Sequence, residues 1–157
     1  MKIIFLVVGK TTDRLLDQLI MQYVSRIKHY VSFEMVIVPE LKNTKALSQM
    51  QQKEKEGDAL LDFFQPSDFV MLMDEGGKQY TSQQFAAHID KISMAGAKRM
   101  VFVIGGPYGF ADKVYKSAQE KVSLSLMTFP HQLVRLIFVE QLYRAFTILH
   151  GEPYHHP

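Results

Sequence analysis

Cysteine is missing from all 157 residues of the chain. Its absence excludes disulfides, thiolate nucleophiles, iron–sulfur clusters and cysteine-ligated zinc together, and it fits a reducing compartment. Net charge is almost as scarce, at +2. A protein that grips nucleic acid through phosphates alone is normally more basic. The first thirty residues do lean positive, with Lys2, Lys10, Arg14, Arg26 and Lys28 against Asp13 and Asp17, a bias that solvated helix faces also produce. The N-terminal MKIIFLVVGK has one short apolar run, too short to span a bilayer, and no small-residue cleavage site follows it. It reads as a first strand, and the protein as cytoplasmic, with no membrane partner.

Several motifs are absent as well. No G-x-G-x-x-G follows a strand, so a standard dinucleotide turn is not expected. His131, His150, His155 and His156 lack the H-E-x-x-H spacing of a zinc helix, so no metal site is expected. No G-x-S-x-G elbow exists, and Ser125 falls inside a predicted strand, which argues against a serine hydrolase.

What remains is globular. Apolar residues make up 47% of the chain, enough for a core, and the length suits one domain over residues 1–157. Five β-type runs are predicted at 2–8, 33–38, 68–74, 99–106 and 121–126. Helical patterns alternate with them over 13–29, 42–64, 82–96, 111–120 and 131–149, with Ser82 as the expected N-cap of the third. Such alternation means an α/β domain with a mainly parallel sheet. Ligands in these sheets bind beyond the carboxyl ends of the strands. Segments 74–78, 105–109 and 127–131 occupy such positions.

Each of these segments has its own chemistry. IGGPYGF sets Gly105, Gly106 and Gly109 behind a buried strand, either to let a ligand approach the backbone or simply to turn the chain. SLMTFP brings a hydroxyl, a phenyl ring and a proline to a strand end, and Pro130 keeps Phe129 out of the helical region. Free backbone groups beside apolar side chains would suit an adenine ring; an ordinary connector would look similar. The last helix is apolar or aromatic at most positions from Leu133 to Leu149, interrupted by Arg135, Glu140 and Arg144. That is too much for one core-facing stripe. A second copy of the chain is the economical cover, giving a homodimer. Beyond it the tail GEPYHHP presents a phenol and imidazoles, groups that stack, hydrogen-bond and move protons.

Taken together, FVIGGPYG, LSLMTFPHQLVRLIFVEQLYRAF and GEPYHHP resemble the RlmH family of SPOUT-class methyltransferases, and the likeness runs over essentially the whole chain. The resemblance implies an α/β-knot fold with a C-terminal trefoil knot, S-adenosylmethionine as cofactor and a homodimer. It implies methylation of N3 of a pseudouridine in the helix 69 loop of bacterial 23S ribosomal RNA, late, on assembled ribosomes. Carried over by position, the cofactor contacts fall on Met73, Gly106, Ser125, Leu126, Met127, Thr128, Phe129 and Pro130. Met73 stands where leucine is common, a volume-conserving change. The family's catalytic and RNA-binding Tyr-His motif falls on Tyr154 and His155. The catalytic set expected from it is His155 to accept or relay the N3 proton, Tyr154 to hold the base and, beside them, Arg144 to face RNA phosphate or the nucleotide. His156 stands where arginine or lysine usually follows. The tail would close over the cofactor site of the partner subunit. A non-catalytic ribosome-binding or assembly factor of the same fold is the alternative.

Overall fold

The computed structural model describes residues 1–157. Its strands are β1 (Lys2–Val8), β2 (Ser32–Val38), β3 (Phe69–Gln79), β4 (Arg99–Ile104) and β5 (Glu120–Ser123). All pair in parallel, in the spatial order β2-β1-β4-β3-β5. The helices are α1 (Arg14–Ile27), α2 (Gln49–Phe63), α3 (Ser82–Met94), α4 (Asp112–Ser117) and α5 (Leu133–Leu149). No helix is long and apolar enough to cross a membrane.

Alternation along the strands sorts the core onto two faces. Ile3, Phe5, Val7, Phe102 and Ile104 pack against α1, α3 and α5, and Phe138 of α5 sits between Phe5 and Phe102 at 4.6 and 4.9 Å. Ile4, Leu6, Val8, Val101 and Val103 meet α2 and α4 through Leu60, Ala111 and Val114. Strands buried on both faces account for their nearly unbroken apolar sequence.

Local chemistry sets the helix starts, and it differs from expectation in places. Thr81, not Ser82, caps α3, because Gln84 returns a side-chain bond to the Thr81 amide and completes a capping box. Ser82 instead donates to Gln141 of α5 at 2.7 Å. The second helix begins at Gln49 rather than 42, capped by Ser48 with Gln51 in the same reciprocal arrangement. A short 3-10 turn, Thr44–Ala46, occupies part of the preceding stretch.

The ends of β3 and β5 also depart from the sequence reading. β3 continues to Gln79 through an irregularity in which Met73 and Lys78 both pair with Val122. Gly77 makes this possible: a Cβ there would lie 2.6 Å from the backbone of Lys121 and Val122. β5 stops at Ser123, so Ser125 is not in a strand. The Ser123 hydroxyl donates to the Ser125 carbonyl, and Ser125 Oγ accepts from the Met127 amide, each at 2.9 Å. These bonds turn the chain out of the sheet.

From the outer strand β5 the chain recrosses the strand ends to β1. Gln132 exchanges bonds with Lys10 and Thr12, and Arg135 donates to the carbonyls of Val8 and Gly9, each at 2.8 Å. Crossing back over β3 and β4 is the path that a C-terminal knot requires. Arg135, a polar interruption in the sequence, is completely buried. α5 lies between α1 and α3 of its own chain. Much of its apolar circumference is therefore covered within one copy, so its apolar sequence does not by itself call for the second copy expected as the economical cover.

Candidate active site

The segments after β3, β4 and β5 enclose a cleft of about 470 Å³, lined from Met73–Glu75, Ile104–Phe110 and Val122–Val134. This volume suits a small organic ligand. Met73, Gly106, Ser125, Met127, Thr128 and Phe129 all contribute to the wall, so the three stretches singled out in the sequence do meet. Leu126 and Pro130 lie outside the lining, and Leu126 is 81% exposed.

The loop after β4 is a tight turn in which the Gly109 amide donates to the Gly106 carbonyl at 3.3 Å, with Gly109 at φ 77°. Gly105 lies against the Phe110 ring, where a Cβ would come within 2.9 Å. Gly106 is pressed from behind by a buried carboxylate. Glu56 of α2 accepts from the Gly106 amide at 3.2 Å, and a Cβ on Gly106 would stand 2.5 Å from both carboxylate oxygens. Burial, and next the nearby Glu40 charge, push the Glu56 carboxyl above its usual range, against the Gly106 bond.

Asp74 and Glu75 are the acids of the lining and His131 its histidine; neither lysine nor arginine reaches it. Asp74 accepts from the Tyr115 hydroxyl and, at 2.8 Å, from the Gly76 amide. Burial and Asp74 push Tyr115 up to about 12, so it remains a phenol and a donor.

A second cluster forms at the C-terminus. Gly151, at φ 67°, lets the last turn of α5 close: its amide bonds Ile148 and the Glu152 amide bonds Thr147, a Schellman arrangement. The Tyr30 hydroxyl then donates to Glu152 at 2.7 Å. Glu140 Oε1 receives Arg144 Nη2 at 2.5 Å and the Tyr154 hydroxyl at 3.1 Å. The Arg144 guanidinium lies 4.8 Å over the Tyr154 ring, and its Nη1 is 3.2 Å from His155 Nδ1. Burial raises the Tyr154 phenol above its ordinary value, helped by Tyr23 and Glu140. His156 is exposed.

Tyr154, His155 and Arg144 are thus brought together, but none lines the cleft of its own chain. No group of three or more His, Asp or Glu side chains is arranged to hold a metal. Sequence reasoning overlooked Glu56, Tyr115 and Arg135. The one available signal was Gly57 inside a helical stretch, which marks the close approach of α2 to Val114 of α4.

A family model described as "Predicted SPOUT methyltransferase" matches residues 1–155. The chain belongs to the SPOUT methyltransferase family. It is similar to a protein of Christiangramia forsetii named "Ribosomal RNA large subunit methyltransferase H", 57% identical over 149 residues, with 95% of each chain covered. A protein of the same name from Parabacteroides distasonis is 54% identical over 156 residues, covering 99% of each. Among solved structures, a probable methyltransferase from Bordetella pertussis aligns with a TM-score of 0.54 at 11% identity, covering 92% of this chain and 94% of the other; it bears on the fold alone. Within the SPOUT frame, the cleft at the strand ends and the tail cluster on α5 are the candidate active-site parts.

Proposed function

We propose that this SPOUT protein is an S-adenosylmethionine-dependent methyltransferase of large-subunit ribosomal RNA, acting on N3 of a pseudouridine in the helix 69 loop of 23S RNA in assembled ribosomes. The observation that carries the reading is the convergence of the β3, β4 and β5 ends on one cleft, with the tail ordered rather than frayed. The name shared by relatives at 54–57% identity supports the RNA class.

The cleft fits the donor on its chemistry. Acidic side chains with no lysine or arginine suit a sulfonium and an amino group, and Phe129, Met73 and the backbone around Ser125 suit an adenine ring. Met73, Gly106, Ser125 and Met127–Phe129 would hold it. When bound, it would supply a methyl group: the carbon–sulfur bond breaks with its electron pair left on sulfur as the bond to N3 forms, and the N3 proton passes to water.

The chain's own residues do the alignment. Two copies related by a two-fold axis would bring the tail of one to the cleft of the other, joining clusters that a single chain keeps apart. Tyr154, whose hydroxyl donates to Glu140, can stack on the base or accept from it through the phenol oxygen. Arg144 can only donate, so in its contact with His155 the Nδ1 atom accepts and a neutral ring carries its proton on Nε2. In that tautomer His155 donates to a base carbonyl and positions the base. Proton acceptance at Nε2 would first require the Arg144 contact to break.

Labelled methyl transfer tests the reading. Label should enter assembled ribosomes from a strain lacking this gene, on N3 of one pseudouridine, with naked RNA a poor substrate. Label on another nucleotide, or none at all, overturns it. The second outcome, with retained ribosome binding, would favour a non-catalytic factor.

A further inference from the structure

The cleft wall has a charge behind it as well as in it. Glu56 does not line the cleft, yet its carboxylate abuts Gly106, which does. It is 7% exposed, and the Gly106 amide donates the single hydrogen bond it accepts. Its surroundings leave the charge uncancelled. On α4, Lys113 is held by Asp58 at 2.5 Å and Glu54 at 3.0 Å. On the β2 side stands another acid, Glu40, packed on Gly9. Arg135 of α5 is engaged by the Val8 and Gly9 carbonyls and is closer in its influence to Glu40 and Asp17. Across the turn, the lining adds Asp74 and Glu75.

A buried, fixed charge acts on its neighbours with little solvent screening. Here it bears on a reaction whose nucleoside changes charge. The methyl donor carries a sulfonium cation; the product left after transfer is a neutral thioether, alike in the rest of its structure. We infer that Glu56 is a specificity-determining residue that favours the cationic donor over its neutral product from behind the glycine turn. This rests on the cofactor reading given above. Glu56 works through the turn without touching the ligand. It biases exchange: spent product leaves and fresh donor enters.

Calorimetry with S-adenosylmethionine and S-adenosylhomocysteine, on wild type and Glu56→Gln, tests the inference. Glutamine keeps an oxygen for the Gly106 amide and removes the charge. Between unit charges about 10–15 Å apart, an effective dielectric of about 20 favours a cation roughly six- to seventeen-fold, and salt reduces this. Donor affinity should therefore fall about three- to ten-fold in the variant, while product affinity changes less than about two-fold. Equal weakening of both would make Glu56 a merely structural strut, and no change in either would remove its role; both overturn the inference. If wild type binds neither nucleoside, the cofactor reading itself fails. Should the variant not fold, the wild-type affinity ratio serves, followed from pH 8 downward. It should begin to fall at a pH above the ordinary carboxylate range as Glu56 takes a proton. A flat ratio overturns the inference.

Discussion

Replacing Gly106 with alanine isolates the contact between α2 and the glycine turn. Gly106 does not have a positive φ, so alanine suffers no backbone penalty there, and the effect comes from the added methyl. That methyl would sit 2.5 Å from both Glu56 oxygens, closer than such atoms approach. Either the carboxylate or the turn must move. Overpacking of this kind costs about 1–3 kcal/mol. Loss of the 3.2 Å bond from the Gly106 amide to the carboxylate adds about 1 kcal/mol or more, because the carboxylate stays buried. In a chain of this length each kcal/mol lowers Tm by about 2–4 °C, so Gly106→Ala should melt roughly 4–16 °C below wild type. Glu56→Ala opens the space the methyl needs. In that background Gly106→Ala should cost less than about 1 kcal/mol, giving a large coupling in a double-mutant cycle. Thermal and urea melts of the four proteins measure it. An unchanged Tm, or additive costs in the double variant, would refute the reasoning.

Other outcomes follow from the same geometry. Glu56→Gln should be more stable than wild type at pH 8. The raised carboxyl favours folding on the acid side, and that contribution is lost as pH climbs through its folded value, so the gap should close on acidification in urea melts. Arg135→Ala leaves the Val8 and Gly9 carbonyls without their buried donor and should cost about 3 kcal/mol or more. A loss under about 1 kcal/mol in urea melts would show that the crossing segment is not anchored there. Gly151→Ala strains a position at φ 67° by about 1–2 kcal/mol and loosens the tail. It should lower kcat for methyl transfer while leaving donor affinity by calorimetry unchanged.

Much of the sheet was legible because strands buried on both faces write themselves as nearly continuous apolar runs, as at Lys2–Val8 and Arg99–Ile104. The boundaries that failed were decided by side-chain bonds between near neighbours. Thr81 outcompetes Ser82 as a cap through Gln84, and Ser123 and Ser125 end β5 early by turning the chain on themselves. Most of the cleft was legible too, since Met73, Gly106 and Phe129 belong to motifs at strand ends. Glu56 was not: in a stretch rich in lysine and glutamate it looks like any solvated acid, and only the packing of α2 on the turn buries it. Arg135 hid for the opposite reason, a charge on an apolar helix that is normally read as its exposed edge. The cover of α5 by α1 and α3 is a tertiary fact that helical periodicity does not contain.

The most direct test mixes two defective chains. Met73→Arg places a cation in the cleft, and His155→Ala removes the tail imidazole; each variant alone should be inactive. If cleft and tail come from different copies, exchange of subunits creates heterodimers with one intact site, and about a quarter of wild-type methyl transfer to ribosomes returns. No recovery, with subunit exchange verified, would contradict the account.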